Sequence, residues 1–161
     1  MTRFMIALSV VATLGAPAVV FAQARPDFSG TWRISQTKSG RNVVGNNPEI
    51  QFASQLEVKQ TPADISVLET SVRQQSLSAT YKLDGSKVDV QAPEGITQTG
   101  AATIDGASLV ITSRRSFSSP AGDIVVDFKE VWTRNGNELT LEKTRTQSGE
   151  SSTQKAIYDK L

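Results

Sequence analysis

From residue 30 onward the chain alternates apolar and polar side chains in short runs, each ending in a turn signal. In Leu139-Thr140-Leu141-Glu142-Lys143-Thr144, for instance, Leu139, Leu141 and Lys143 fall on one face and Thr140, Glu142 and Thr144 on the other. That period of two belongs to a half-buried β-strand, and no segment after residue 24 carries a convincing amphipathic-helix pattern. The runs predict about ten strands, near 30–36, 55–60, 65–74, 77–83, 87–91, 98–104, 108–117, 124–133, 138–146 and 151–159. Between them stand Asp84-Gly85, Asp105-Gly106, Ser119-Pro120-Ala121-Gly122, Asn135-Gly136 and Ser148-Gly149, each suited to an antiparallel hairpin. Short turns in regular succession imply an all-β, up-and-down antiparallel meander of about 8–10 strands. The Gly- and Asn-rich stretch 39–48 is the one long loop and the expected mobile flap.

Turn geometry fixes which residues face each other, so the meander can be tested against charge. With Arg134 facing Asn137 across the Asn135-Gly136 turn, Trp132 meets Leu139, Glu130 meets Leu141, Phe128 meets Lys143 and Val126 meets Arg145, and Lys129 meets Glu142 on the other face. With Ser118 facing Asp123, Leu109 meets Trp132, Ile111 meets Glu130, Ser113 meets Phe128 and Arg115 meets Val126, while Arg114 meets Asp127 outside. A two-residue turn at Ser148-Gly149 sets Tyr158 against Leu139, Ala156 against Leu141, Gln154 against Lys143 and Ser152 against Arg145, with Lys155 beside Glu142 outside. All three turns thus place opposite charges on one outer face. The Asp84-Gly85 turn does the reverse: it sets Lys82 against Lys87, which argues for a bulge or another register.

The inner face then runs from an apolar and aromatic layer containing Trp132 and Tyr158 toward a charged end. Glu130 lies diagonal to Lys143 and is expected to neutralise it rather than to act as a general acid. Arg115 and Arg145 flank Val126 at one height with no acid at their level. Two readings fit them: a wet rim where arginine stems snorkel into solvent, or a clamp for a carboxylate or phosphate. The candidate ligand-binding residues are therefore Arg115, Arg145, Lys143, Glu130, Phe128, Trp132 and Tyr158.

Composition narrows the chemistry. The 161 residues include 17 Lys+Arg, 16 Asp+Glu, no His and no Cys, which excludes imidazole or thiol nucleophiles, His/Cys metal sites and disulfides. No cofactor, no metal and no enzymatic activity are expected. Arg3, the apolar stretch 4–14 and Ala22-Gln23-Ala24 form the pattern of a signal peptide, residues 1–24, with cleavage after Ala24. Gly15 and Pro17 interrupt the apolar stretch, and no basic stop-transfer cluster follows. The expected mature domain, 25–161, is electrically balanced, so neither nucleic acid nor an anionic membrane is favoured as a partner. The membrane is met only through the signal before cleavage. Periplasmic or secreted localisation and a monomer are expected.

A ten-stranded sheet has two exposed edges, and pairing first strand with last removes them and makes a barrel. Barrels of this size have room for one small molecule. Ala79, Gly100, Ala102 and Ala156 at inner positions leave space, though they equally permit a collapsed barrel. Asp27-Phe28-Ser29-Gly30-Thr31-Trp32 after the export signal, the Asp-Gly hairpins and the terminal Tyr158-Asp159-Lys160 resemble small exported bacterial lipocalin-like (calycin-type) barrel proteins across nearly all the mature chain. That resemblance implies that Trp32 plugs the closed end and that Lys160 packs on it. Interior Arg and Tyr hold a ligand carboxylate in fatty-acid-binding relatives, and Arg115 and Arg145 match them in residue type. The expected function is non-enzymatic binding of a small apolar or amphipathic, lipid-like molecule, its tail toward Trp132 and any anionic head toward the arginines. The alternative is a ligand-free envelope interaction module.

Overall fold

A computed structural model describes residues 25–39 and 50–161. The expected signal peptide, 1–24, and nearly all of the expected flap lie outside the described residues. The chain forms β1 (Gly30–Ile34), a four-residue helix α1 (Gln36–Ser39), β2 (Gln55–Gln60), β3 (Asp64–Thr70), β4 (Ser76–Lys82), β5 (Val88–Asp89), β6 (Ile96–Asp105), β7 (Ser108–Ser119), β8 (Gly122–Asn135), β9 (Glu138–Gln147) and β10 (Glu150–Lys160). All pairs are antiparallel in the order β4-β3-β2-β1-β10-β9-β8-β7-β6-β5. The first and last strands pair through Trp32 and Lys160, as barrel closure requires.

The sheet is interrupted at one place. No ladder joins β4 to β5, so Asp84-Gly85 does not close the expected hairpin; Asp84 instead bridges singly to Thr103. Lys82 stands beside Asp64 of β3, away from Lys87. Separating the two lysines removes the like-charge contact that a tight hairpin there would impose. Across the break, the backbone N–H and the hydroxyl of Ser78 both donate to the Gln91 side-chain carbonyl at 3.1 Å.

Two of the three tested registers are observed. Arg114 faces Asp127 and holds it through two bonds of 2.7 and 2.9 Å, and Lys155 faces Glu142. The third is displaced by two residues: Asn135 pairs with Glu138, Trp132 with Leu141, Glu130 with Lys143 and Phe128 with Arg145. Lys129 consequently faces Thr144, not Glu142. The turn is made by Gly136-Asn137, with Gly136 at φ 60°, a position that a glycine at the first turn residue fills without strain. The shift also sets buried Lys143 directly opposite its acid, which the expected register left on a diagonal.

The closed end is packed solid. Phe28, Trp32, Trp132, Leu109, Leu139 and Tyr158 are fully buried there or just above it. Phe28 meets Trp132 edge to face with centroids 6.4 Å apart, and the Trp32 indole N–H donates to the Phe28 carbonyl at 2.9 Å. Lys160 lies 5.4 Å over the Trp32 ring, and Arg134 lies 5.6 Å over the same ring. The Lys160 stem crosses Gly30 so closely that a Cβ there would fall 2.6 Å from its Cε; with φ at 138°, that position favours glycine.

Candidate functional site

Above this plug the inner faces of β3, β4, β6, β7, β8 and β9 surround a cavity in two lobes. The outer lobe, about 420 Å³, is lined by Gln51, Phe52, Ala53, Glu69, Ser71, Gln75, Leu77, Pro93, Arg115, Phe128 and Lys143. A deeper lobe of about 30 Å³ shares Glu69, Leu77, Arg115, Phe128 and Lys143 and adds Ala79, Tyr81, Gln98, Ile111 and Glu130 among others. Loop and turn residues therefore ring the mouth, and strand residues line the depth. The outer volume lies within the usual range for small-molecule sites.

Most polar groups at the bottom are already engaged. Glu130 accepts from Lys143 Nζ at 2.7 Å through one oxygen and from the Trp132 indole at 2.9 Å through the other. Both members of the ion pair are buried, with side chains 11 % exposed. Lys143 also reaches the Gln51 carbonyl at 3.4 Å and lies 5.8 Å and 6.0 Å from the rings of Phe52 and Phe128. Burial pulls the Lys143 pKa down, but attraction to Glu130 and Glu69, together with the bond to Glu130, holds it above the ordinary lysine value. Lys143 is thus a charged wall of the cavity.

Arg115 is different. Its Nε donates to the Gln98 side chain at 2.7 Å and its guanidinium stacks 5.0 Å over Phe128. Its terminal nitrogens have no acceptor among the described residues. Glu69, on the inward parity of Ile65 and Val67, likewise has no hydrogen bond or ion pair among the described residues. It is half-buried and lines both lobes, and desolvation, with the repulsion of Glu130 added, raises its pKa despite Lys143 and Arg115. Tyr81 and Tyr158 are pushed well above the usual tyrosine range, chiefly by burial and then by those carboxylates.

The seven residues expected at a site therefore separate. Arg115, Lys143, Glu130 and Phe128 meet at the cavity. Trp132 and Tyr158 line neither lobe; Tyr158 is packed into the core and its hydroxyl donates to the Ala53 carbonyl at 2.9 Å. Arg145 is not level with Arg115: it faces Phe128, whereas Arg115 faces Val126, and it donates to the Gln147 side chain outside the cavity lining. The two-residue register shift accounts for this. Of the small inner residues, Ala102 and Ala156 are buried in the core, and the space beside Gly100 is filled by the Tyr81 ring, 2.6 Å from where a Cβ would sit. Only Ala79 of those four faces the deep lobe.

Glu69, Tyr81, Gln98 and Phe52 are among the lining residues that the sequence reading missed. For Glu69 the signal was its parity with Ile65 and Val67. Leu68 between them blurred it by adding an apolar residue to the outer face.

No protein-family model matches the chain, and no curated protein sequence matches it. Solved structures do. A zebrafish ileal bile acid-binding protein complexed with cholic acid superposes with a TM-score of 0.54 at 12 % identity, over 83 % of this chain and 98 % of that one. The fluorescent protein UnaG superposes with a TM-score of 0.54 at 15 % identity, over 83 % of this chain and 97 % of that one. This chain has their barrel fold.

Proposed function

We propose that the chain is a non-enzymatic, exported bacterial binding protein that holds one small amphipathic, lipid-like molecule inside its barrel. The observation that carries this reading is the cavity of about 420 Å³, where Arg115 presents guanidinium nitrogens with no acceptor among the described residues beside a wall of Phe52, Ala53, Leu77, Pro93 and Phe128. An apolar lining with a few convergent polar groups suits an amphiphile. The barrel's likeness to a structure holding cholic acid supports the architecture of such a site.

The orientation differs from that expected of the sequence. Trp132 is sealed beneath Glu130, so the anionic head sits inward at Arg115 and the tail runs toward Phe52, Leu77 and Pro93 at the mouth. Residues 1–24 act as a cleaved export signal in this reading, and the mature monomer works in the periplasm or outside the cell. N-terminal sequencing of the exported form is expected to begin at Arg25.

Native mass spectrometry of the protein from its own host tests the carrier. A co-purified small molecule is expected, lost or strongly reduced in Arg115→Ala because charge-assisted bonds to the head disappear. A chain that carries nothing and takes up no amphiphile when offered one is not a carrier, and the interaction-module reading replaces it.

A further inference from the structure

Glu69 is the one cavity carboxyl that the carrier reading leaves without a task. The other, Glu130, is held by Lys143 on one oxygen and Trp132 on the other, so that pair is internally neutral and already bonded. What remains, among the described residues, is Arg115 with terminal nitrogens that meet no acceptor and Glu69 with no bond. Both line both lobes and therefore meet at their junction, where a ligand head would sit. We propose that the site takes a monocarboxylate amphiphile together with a proton, the ligand carboxylate lying between the Arg115 guanidinium and the neutral carboxyl of Glu69, which donates its O–H.

The charge balance selects the class. With Lys143 and Glu130 cancelling and Glu69 protonated in the complex, the described lining carries one unit of positive charge, from Arg115, and a monoanion neutralises it. A dianionic head would leave an uncompensated buried charge, and a cationic head would face Arg115 and Lys143. A carboxylate is also the natural acceptor for a carboxylic acid O–H, since such charge-assisted bonds are short and strong.

The groups facing Glu69 set the direction of the pH effect. Arg115 of β7 and Lys143 of β9 favour its charged form. Glu130 of β8 opposes it, Tyr81 of β4 and Tyr158 of β10 are neutral, and β2 and β6 present Leu56, Val58 and Gln98, none of which titrates. Burial and Glu130 keep Glu69 inclined to the neutral form, and an anionic ligand increases that inclination. Raising the pH removes the proton and turns a donor into a repelling charge. Ligand affinity therefore falls with rising pH, by at most about tenfold per pH unit for one linked proton.

This inference rests on the carrier reading, and calorimetric titration separates the two. Dodecanoate is titrated into the purified protein at about pH 6.5 and about pH 8.5, each in two buffers of different ionisation enthalpy, which counts protons taken up. The expected result is net proton uptake on binding, at most one per dodecanoate and larger at the higher pH, with weaker binding there. In Glu69→Gln, a neutral mimic of the acid, uptake disappears and the affinity becomes flat. The wild-type proton count decides the matter even if the variant fails to fold. Dodecanoate that binds equally at both pH values without proton uptake overturns the inference and leaves the carrier standing. Preference for dodecanol or dodecylammonium over dodecanoate overturns the carboxylate class. If none of the three binds, the carrier reading falls and the inference falls with it.

Discussion

At the closed end of the barrel Arg134 and Lys160 lie over the ring of Trp32, and at the cavity end Arg115 and Lys143 lie over the ring of Phe128. The residue types are alike, but their hydrogen bonds are not. Arg134 donates to the backbone carbonyls of Asp27 and Gly136, tying the segment before β1 to the β8–β9 turn. Among the described residues Arg115 has a single side-chain acceptor, Gln98. A cation whose donors end on backbone is part of the framework; one whose donors are left over faces a site. The comparison also separates the tryptophans from the phenylalanines: Trp32 and Trp132 spend their indole N–H groups on Phe28 and Glu130, whereas Phe52 and Phe128 offer bare apolar surface to the cavity.

Five substitutions break or sharpen that contrast. Trp32→Ala, at the framework end, is expected to cost about 3–5 kcal/mol of stability by emptying a fully buried aromatic site, read from urea unfolding. Lys143→Met leaves Glu130 buried without its cation and is expected to cost roughly 3–5 kcal/mol; adding Glu130→Leu should recover most of that loss, because two matched apolar groups no longer carry a desolvated charge. An equally unstable double variant would show that the pair is not what the fold depends on there.

Glu69→Gln should stabilise the ligand-free protein. A carboxyl whose pKa is raised on folding binds its proton more tightly in the folded state, so stability falls as pH climbs from the ordinary carboxylate range to the raised value. The gain from Glu69→Gln is thus expected at neutral pH and should vanish in acid, below the ordinary range. Melting curves of both proteins across that window check the sign. Arg115→Ala is expected to change stability least, by about 1 kcal/mol for the Gln98 bond and Phe128 contact it gives up, while removing ligand binding. A large loss of melting temperature in this variant would place Arg115 with Arg134 in the framework and dissolve the comparison.

The meander, its strand count and the pairing of first with last strand were all legible in the alternation and the turn residues. Two hairpins could be placed in register because outer charges such as Arg114 with Asp127 reported on them. The β8–β9 hairpin was misplaced by two because Asn135-Gly136 and Gly136-Asn137 are both plausible turns, and Lys129 opposite Glu142 lent false support to the first. A slip of two preserves which face each side chain occupies but changes its height. That is why Phe128, Glu130 and Lys143 were correctly given the inner face, whereas Arg145 was set level with Arg115. Glu69 and Tyr81 come from β3 and β4, where the outer pair Asp64 with Lys82 reports only on that one hairpin; their meeting with β7 and β8 depends on how the barrel curls, which no local pattern encodes.

The interruption between β4 and β5 has a mechanical consequence. A cylinder of continuous backbone ladders has a fixed girth, because widening it anywhere severs main-chain bonds. Here the circumference is joined at that seam by the Asp84–Thr103 bridge and by Gln91, whose side chain can swing away from Ser78 by turning a few torsions. The barrel is in effect a split ring, able to spread around a bulkier guest along the very wall that carries Leu77 and Tyr81, with every other stave still fastened to its neighbour.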